Sequence, residues 1–319
     1  LYTSFKRNEL LPFLPADLSG YLADIHALNY NRNQRILEQS HELIRILNGA
    51  GIEPVFLKGA GHLLQGLYYD AGDRIMSDID ILLSQEDIPK AAALLYENGY
   101  FHPDEFKEDN FEKHHHLPGF EHKSHIAIVE IHHALFPGKY SRLLPNNEVF
   151  SGKRKLEGMD AWVLSCRHQM VLNFVHDQLV DDGFKYKAMV IKGLYDFYLM
   201  AKMNYAEKTQ PWPEGYKRKF NSYSAFVSAT FNNSDAVGFT LTGSAKRFRN
   251  QFNYLQNHPK TYGIYQLIVL YQLRFNEILK VLLTLPFSKQ SRRYFHKKLG
   301  TTDKAKKYFR HLKSEFRPD

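Results

Sequence analysis

The chain has a single cysteine, Cys166, among its 319 residues, so no disulfide framework exists. That excludes a disulfide-stapled small fold and suits a reducing compartment, and a cytoplasmic location is expected. Cys166 sits in an apolar helical pattern and reads as a buried, inert thiol. Long hydrophobic runs are also missing. The best candidate, Tyr262 to Leu273, is broken by Gln266 and Gln272, well short of the roughly 18 apolar residues of a membrane span. Lys6-Arg7 is followed by Asn8-Glu9 and by no apolar run, so no signal peptide is expected. The chain lacks Gly-x-x-x-x-Gly-Lys-Ser/Thr, Gly-x-Gly-x-x-Gly, Gly-x-Ser-x-Gly, His-Glu-x-x-His and a kinase catalytic loop. The best-known phosphate-loop, dinucleotide, hydrolase, zinc-protease and kinase motifs are therefore absent.

A charge excess is lacking over most of the length. From Pro286 to Asp319 eleven Lys/Arg face three Asp/Glu, and the remainder is balanced at 31 to 31. The whole net charge of +8 therefore lies in the last helix or two. A composition of 44% hydrophobic and 24% charged residues describes a globular protein with ample core.

The stretch Val55 to Leu83, VFLKGAGHLLQGLYYDAGDRIMSDIDILL, organises the rest. An apolar strand, 52–57, ends on Lys58-Gly59-Ala60. A short helical piece follows, then a polar turn, 69–74, then a second strand, 77–83. Successive strand side chains point to opposite faces, so Asp78 and Asp80 share one face and Ile79 and Ile81 the other. Two carboxylates side by side repel, and such a pair reads either as solvated carboxylates on an edge strand or as an oxygen-rich site that suits Mg²⁺ or Mn²⁺. Upstream, 31–51 reads as a helix after an irregular start, 1–29. Downstream, Ser84-Gln85-Glu86-Asp87 has the form of a capping box and launches a helix to Asn98. A third strand follows at 124–134, where strict alternation places Ile126, Ile128, Glu130 and His132 on one face. From Asp160 onward the pattern is helical, with helices expected at 162–177, 187–203, 219–231, 245–257, 262–285 and 303–316.

Strand, Lys-Gly, helix and a second strand carrying Asp-x-Asp resembles the core of the polymerase-beta-like nucleotidyltransferase superfamily. Leu57-Lys58-Gly59-Ala60, then Tyr68, Gly72, Arg74 and Asp78-Ile79-Asp80-Ile81-Leu82, more closely resemble the bacterial "uncharacterised nucleotidyltransferase" family, over roughly residues 35 to 200. Two features depart from the superfamily: Gly59-Ala60 stands where Gly-Gly or Gly-Ser is usual, and the gap from Gly59 to Asp78 is long. The resemblance implies an α/β fold: a nucleotidyltransferase core of mixed sheet with flanking helices over 1–150, followed by a helical C-terminal region with a basic tail over 151–319. It implies Mg²⁺- or Mn²⁺-dependent transfer of a nucleotide from an NTP, with ATP the expected donor. The acceptor is left open among a small hydroxyl compound, a protein and an RNA end. It assigns the catalytic and metal-binding roles to Asp78, Asp80 and Glu130. Lys58, Gly59, Ala60 and Arg74 fall to the nucleotide, and His132 to the acceptor side. Arg74 could instead pair with Asp70 or Asp73. His176-Asp177 and, later, Asp196 also match a habit of the family, and a polar contact between packed helices is an equal reading of them.

Three rival readings come from elsewhere in the chain. His114-His115-His116 offers imidazoles for a softer metal, but adjacent residues in a strand cannot all face one ion. The basic tail, 286–319, carries Arg292-Arg293, Lys297-Lys298 and Lys306-Lys307 with interleaved aromatics. It reads either as a solvated helical face or as a surface for RNA, another polyanion or acidic lipid. The core itself could be a catalytically silent nucleotidyltransferase fold that serves as a nucleic-acid or partner-binding module.

Overall fold

The computed structural model describes residues 1–103, 115–203, 214–232 and 241–298. The chain divides into two compact units, one of Leu1–Phe184 with Ala188–Lys246, the other of Lys185–Lys187 with Arg247–Asp319.

The first unit opens with helix α1 (Tyr2–Arg7) and a long helix α2 (Ala16–Gly49). Thus 1–29 is mostly helical, against the irregular start expected from the sequence. Pro15 stands at the N-cap of α2, and Gly20 lies inside the helix without ending it. In its first half α2 leaves Leu18, Tyr21, Ile25 and Leu28 exposed and presents polar side chains inward instead. Asn29 Nδ2 donates to Gly72 O at 2.7 Å, and Asn33 Nδ2 donates to Ala71 O and Arg74 O at 2.5 and 2.6 Å. Arg32 Nε donates to Met76 O at 2.9 Å. The polar turn before the Asp-x-Asp strand is therefore held by helix side chains as well as by its own bonds, Asp73 N–H to Asp70 O at 3.0 Å among them.

Strand β1 (Val55–Phe56), helix α3 (Lys58–Leu64) and strand β2 (Asp78–Leu82) form the expected sequence of elements. Gly61 lets α3 pack tightly on β1, since a Cβ there would lie 2.6 Å from Phe56 O. Helix α4 (Ile88–Glu97) follows Ser84, whose Oγ accepts from Asp87 N–H at 3.2 Å. Strands β3 (Tyr100–Phe101) and β4 (Glu121–His122) pair antiparallel in a small separate ladder. Strand β5 (Ile128–His132) is the third strand foreseen by alternation. Helix α5 (Asn146–Ser151) precedes strands β6 (Arg154–Lys155) and β7 (Trp162–Val163). The main sheet runs β5-β2-β1-β7-β6 and is mixed: β2 pairs parallel with β5, β1 antiparallel with β2 and parallel with β7.

Residues 162–165 correct the expected helix. Trp162 and Val163 extend the sheet beside β1, and helix α6 (Cys166–Phe174) begins only after Ser165, whose side chain accepts from His168 N–H. Val163, Leu164, Met170, Val171, Phe174 and Val175 are all buried as expected, and a buried face serves strand and helix alike. Cys166 is buried, with Sγ 3.4 Å from Met200 O. A π-helical turn (Val175–Val180) continues α6 and carries His176 and Asp177. Helices α7 (Gly183–Tyr186), α8 (Ile191–Met203) and α9 (Lys217–Thr230) follow. Phe174, Phe197, Phe220 and Tyr223 pack edge to face or tilted among α6, α8 and α9. Helix α10 (Gly243–Gln256) leads into the second unit, which holds a hairpin of α11 (Pro259–Thr284) and α12 (Lys289–Lys298). There Tyr294 OH donates to Glu277 Oε1 at 2.7 Å. His114, the helix expected at 303–316 and the basic residues beyond Lys298 lie outside the described residues. No described helix is long and apolar enough to cross a membrane.

Candidate functional site

The register of β2 against β5 builds the centre of the site. Asp80 stands opposite Glu130, Asp78 opposite Ile128 and Leu82 opposite His132. Parallel neighbours in register are about 4.8 Å apart, so the Asp-x-Asp pair and Glu130 meet on one face. Ile79 and Ile81 fill the opposite face and are fully buried.

Asp80 is itself buried and has two polar partners. His132 Nε2 donates to Asp80 Oδ1 at 2.7 Å, and Lys58 Nζ donates to the same oxygen at 3.3 Å. Burial would raise the Asp80 pKa, but the Lys58 charge and the His132 hydrogen bond outweigh it and hold it well below the usual carboxylate range. Asp78 lacks such support. Burial and the adjacent Asp80 charge raise its pKa, against the opposing pull of Lys58. Lys58 is pulled down by burial, yet Asp80, Asp78 and Glu130 together raise its pKa and keep it charged. Its backbone is left-handed, with φ of +44°. A non-glycine residue there costs on the order of 1–3 kcal/mol. Here that strained residue ends strand β1 and starts α3, which turns its ammonium toward Asp80.

His132 Nε2 also lies 3.6 Å from Glu130 Oε2. Burial lowers the His132 pKa, but its bonds to Asp80 and Glu130 raise it overall. Asp80, Glu130 and His132 each offer a ligand atom, and these atoms lie within 4.8 Å of one another. Asp78 is not part of that tight group. The rings of His115 and His116 sit 5.1 and 5.0 Å from the His132 ring. Burial, with the neighbouring histidines, pushes the His115 pKa down to about 3, so this ring is neutral.

Beside these carboxylates lies a cleft of about 140 Å³. Lys58, Gly59, Asp78 and Asp80 line one side, and Asn173, His176, Asp177 and Lys192 are contributed by the helices. His176 Nδ1 is 3.2 Å from Asp181 Oδ2 and 3.6 Å from Asp177 Oδ1. These two carboxylates overcome burial and raise its pKa to about 9. Gly193 permits this approach of α8 to the π-helical turn, since a Cβ there would fall 2.0 Å from Asp177 Oδ2.

Arg74 takes neither of the partners foreseen for it. Asp70 accepts from Gly72 N–H at 2.7 Å and contacts His26, while Asp73 accepts from Thr3. Arg74 instead forks onto Asp196 of α8, Nε to Oδ1 and Oδ2 at 3.1 and 3.0 Å and Nη2 to Oδ2 at 2.9 Å. Tyr68 OH donates to Asp196 Oδ1 at 2.9 Å, and His62 Nδ1 is 3.7 Å from Oδ2. Burial works to raise the Asp196 pKa, but His62 and then Arg74 outweigh it and hold it low. Arg74 thus reaches the cleft edge as one half of a buried ion pair. The polar-contact reading of Asp196 is the one the geometry supports. Sequence reasoning placed Tyr68 only among the residues of the family resemblance and missed His62, whose one signal was a histidine among apolar helix neighbours.

Paired carboxylates on adjoining parallel strands, a lysine beside them and a helical wall across a cleft thus stand together in one part of the first unit. No curated protein and no solved structure matches the chain. A family model does match, from residue 1 to residue 214, and by it the chain belongs to the uncharacterised nucleotidyltransferase family.

Proposed function

We propose that the protein is a divalent-cation-dependent transferase that moves a nucleoside monophosphate from an NTP, with ATP the expected donor, to an acceptor hydroxyl. The observation that carries this reading is the register of Asp80 against Glu130, with Asp78 two residues away on the wall of a cleft. The donor set fits a cation. Three carboxylates crowd one face, Asp80 draws on Lys58 and His132 for compensation, and Asp78 is left repelled. Asp78, Asp80 and Glu130 would hold Mg²⁺ or Mn²⁺, which would supply charge neutralisation at the attacking and leaving oxygens.

The chain's own residues would do the rest. Lys58 would offset triphosphate charge, together with Arg74 at the cleft edge. The first-turn N–H groups of Gly59 and Ala60 would receive phosphate oxygens. The acceptor oxygen would attack the α-phosphorus as the bond to the leaving pyrophosphate breaks. Glu130 would take the acceptor's proton, and His132 would orient Glu130. In this reading residues 1–150 carry the donor chemistry, and helices from 151–319 supply the facing wall. The acceptor class, whether small hydroxyl compound, protein or RNA end, is a question for substrate screens.

The silent-fold reading has one observation in its favour: the buried Asp80 carboxylate is already compensated by two side chains. Calorimetric titration of each NTP, with and without Mg²⁺, into wild type and Asp80→Asn separates the two. Metal-dependent binding that the variant loses is expected. Absence of NTP binding to wild type would overturn the transferase reading in favour of the silent fold.

A further inference from the structure

Asp80 and Glu130 have an unusual neighbour for a carboxylate cation site. His132 is 1% exposed, and its Nε2 lies 2.7 Å from Asp80 Oδ1 and 3.6 Å from Glu130 Oε2. Both of these ring contacts run through that one nitrogen. Nδ1 is buried and has no hydrogen-bond partner among the described residues. The imidazole is therefore aimed, by Nε2, into the gap between the two carboxylates.

Adjacent ligands of an octahedral ion at roughly 2.1 Å stand about 3 Å apart. The separations of Nε2 from the two oxygens bracket that value. Asp80 itself is buried, only 3% exposed, so an ion held there keeps few waters on that side. Mg²⁺ is poorly served by such a corner, because it sheds water reluctantly and favours all-oxygen shells. First-row transition ions accept imidazole nitrogen readily.

We propose that His132, once Nε2 releases the proton it donates to Asp80, is itself a ligand through that nitrogen of a cation held by Asp80 and Glu130, and that this position prefers Mn²⁺ over Mg²⁺. The inference rests on the cation-dependent reading above, but it changes the role of His132 from orienting a neighbour to donating to the ion.

The test is pulsed electron paramagnetic resonance on the full chain loaded with Mn²⁺ alone, without nucleotide. Nitrogen modulation is expected in wild type, and it should change to the ¹⁵N pattern in protein made with ¹⁵N-histidine. It should persist in His176→Gln and vanish in His132→Gln, with Mn²⁺ affinity falling at least about tenfold. Wild type should bind Mn²⁺ at least about tenfold tighter than Mg²⁺. If His132→Gln does not fold, Asp80→Asn replaces it, and the modulation should vanish there too. Bound Mn²⁺ without nitrogen modulation would overturn the proposal and leave an all-carboxylate site, with the transferase reading intact. Modulation lost in His176→Gln would move the ion to the His176-Asp177-Asp181 group and overturn it as well. Failure to bind Mn²⁺ alone would also overturn it, and the NTP titration with Mg²⁺ would then show separately whether the transferase reading survives.

Discussion

Arg74 and Asp196 meet in the interior through a bidentate fork, with Tyr68 and His62 satisfying the remaining positions. Removing one member strands a buried charge, at a cost of about 3–5 kcal/mol. Asp196→Asn and Arg74→Leu should each lose stability on that scale in urea unfolding, and Arg74→Lys should fall between them and wild type because it cannot fork. The low Asp196 pKa fixes the sign with pH. Its stabilisation is present above the unfolded carboxylate value, near 3.9, and is lost as pH falls toward the folded value, so Asp196→Asn should flatten the acid limb of the stability curve. His176 works in the opposite direction. Asp177 and Asp181 raise its pKa to about 9 against burial, with the Lys58 charge also opposing, so its contribution is complete below about 6.5 and disappears as pH rises to 9. His176→Gln should be less stable than wild type at pH 6 and nearly equal to it at pH 9.5, measured by urea midpoints. At this scale the carboxylates were legible and their company was not. Alternation puts Asp78 and Asp80 on one face of their strand, and the family resemblance, not alternation, added Glu130 to them. Arg74 gave no hint of a partner 122 residues away, and adjacency in the chain offered it Asp70 and Asp73 instead.

Helix α2 shows where periodicity stops short. Its second half presents Ile36, Leu43, Ile44 and Leu47 to the core, and that stripe is plain in the sequence. Its first half buries Asn29 and Asn33, which serve as hydrogen-bond donors to the turn ahead of β2. A polar residue that faces inward leaves no hydrophobic signature. Asn33→Ala would leave two carbonyls short of a donor, and a loss of about 1–3 kcal/mol is expected in denaturant unfolding. The contact between α8 and the π-helical turn is equally specific. Gly193→Ala places a methyl group 2.0 Å from Asp177 Oδ2, so the Asp177 carboxylate must turn away from its place. Reduced stability is expected together with weaker NTP binding, because Asp177, His176 and Lys192 line the cleft at that junction. Residues 162–163 read as helix because an apolar pair beside Ser165 suits either element. Pairing with Val55 and Phe56, more than a hundred residues earlier, makes them strand.

For the molecule as a whole, charge is the property to test. The excess of basic groups over 286–319 belongs to the second unit, while the proposed cation site belongs to the first. Deleting 287–319 should weaken retention on heparin and shift elution to lower salt, with NTP binding unchanged; equal retention would mean a solvated surface only. The order α2, β1, α3, β2, α4 and β5, the shared face of Asp78 and Asp80 and the placement of the charge were written in the chain, because they depend on neighbours two to four residues apart, whereas the short pair β3 and β4 was not. The strand order of the sheet, the pairing of Asp80 with Glu130, the fork of Arg74 onto Asp196 and the meeting of His132 with two carboxylates were not. Each is a contact between segments tens to more than a hundred residues apart, and its energy comes from burial that exists only once the sheet and helices close on one another.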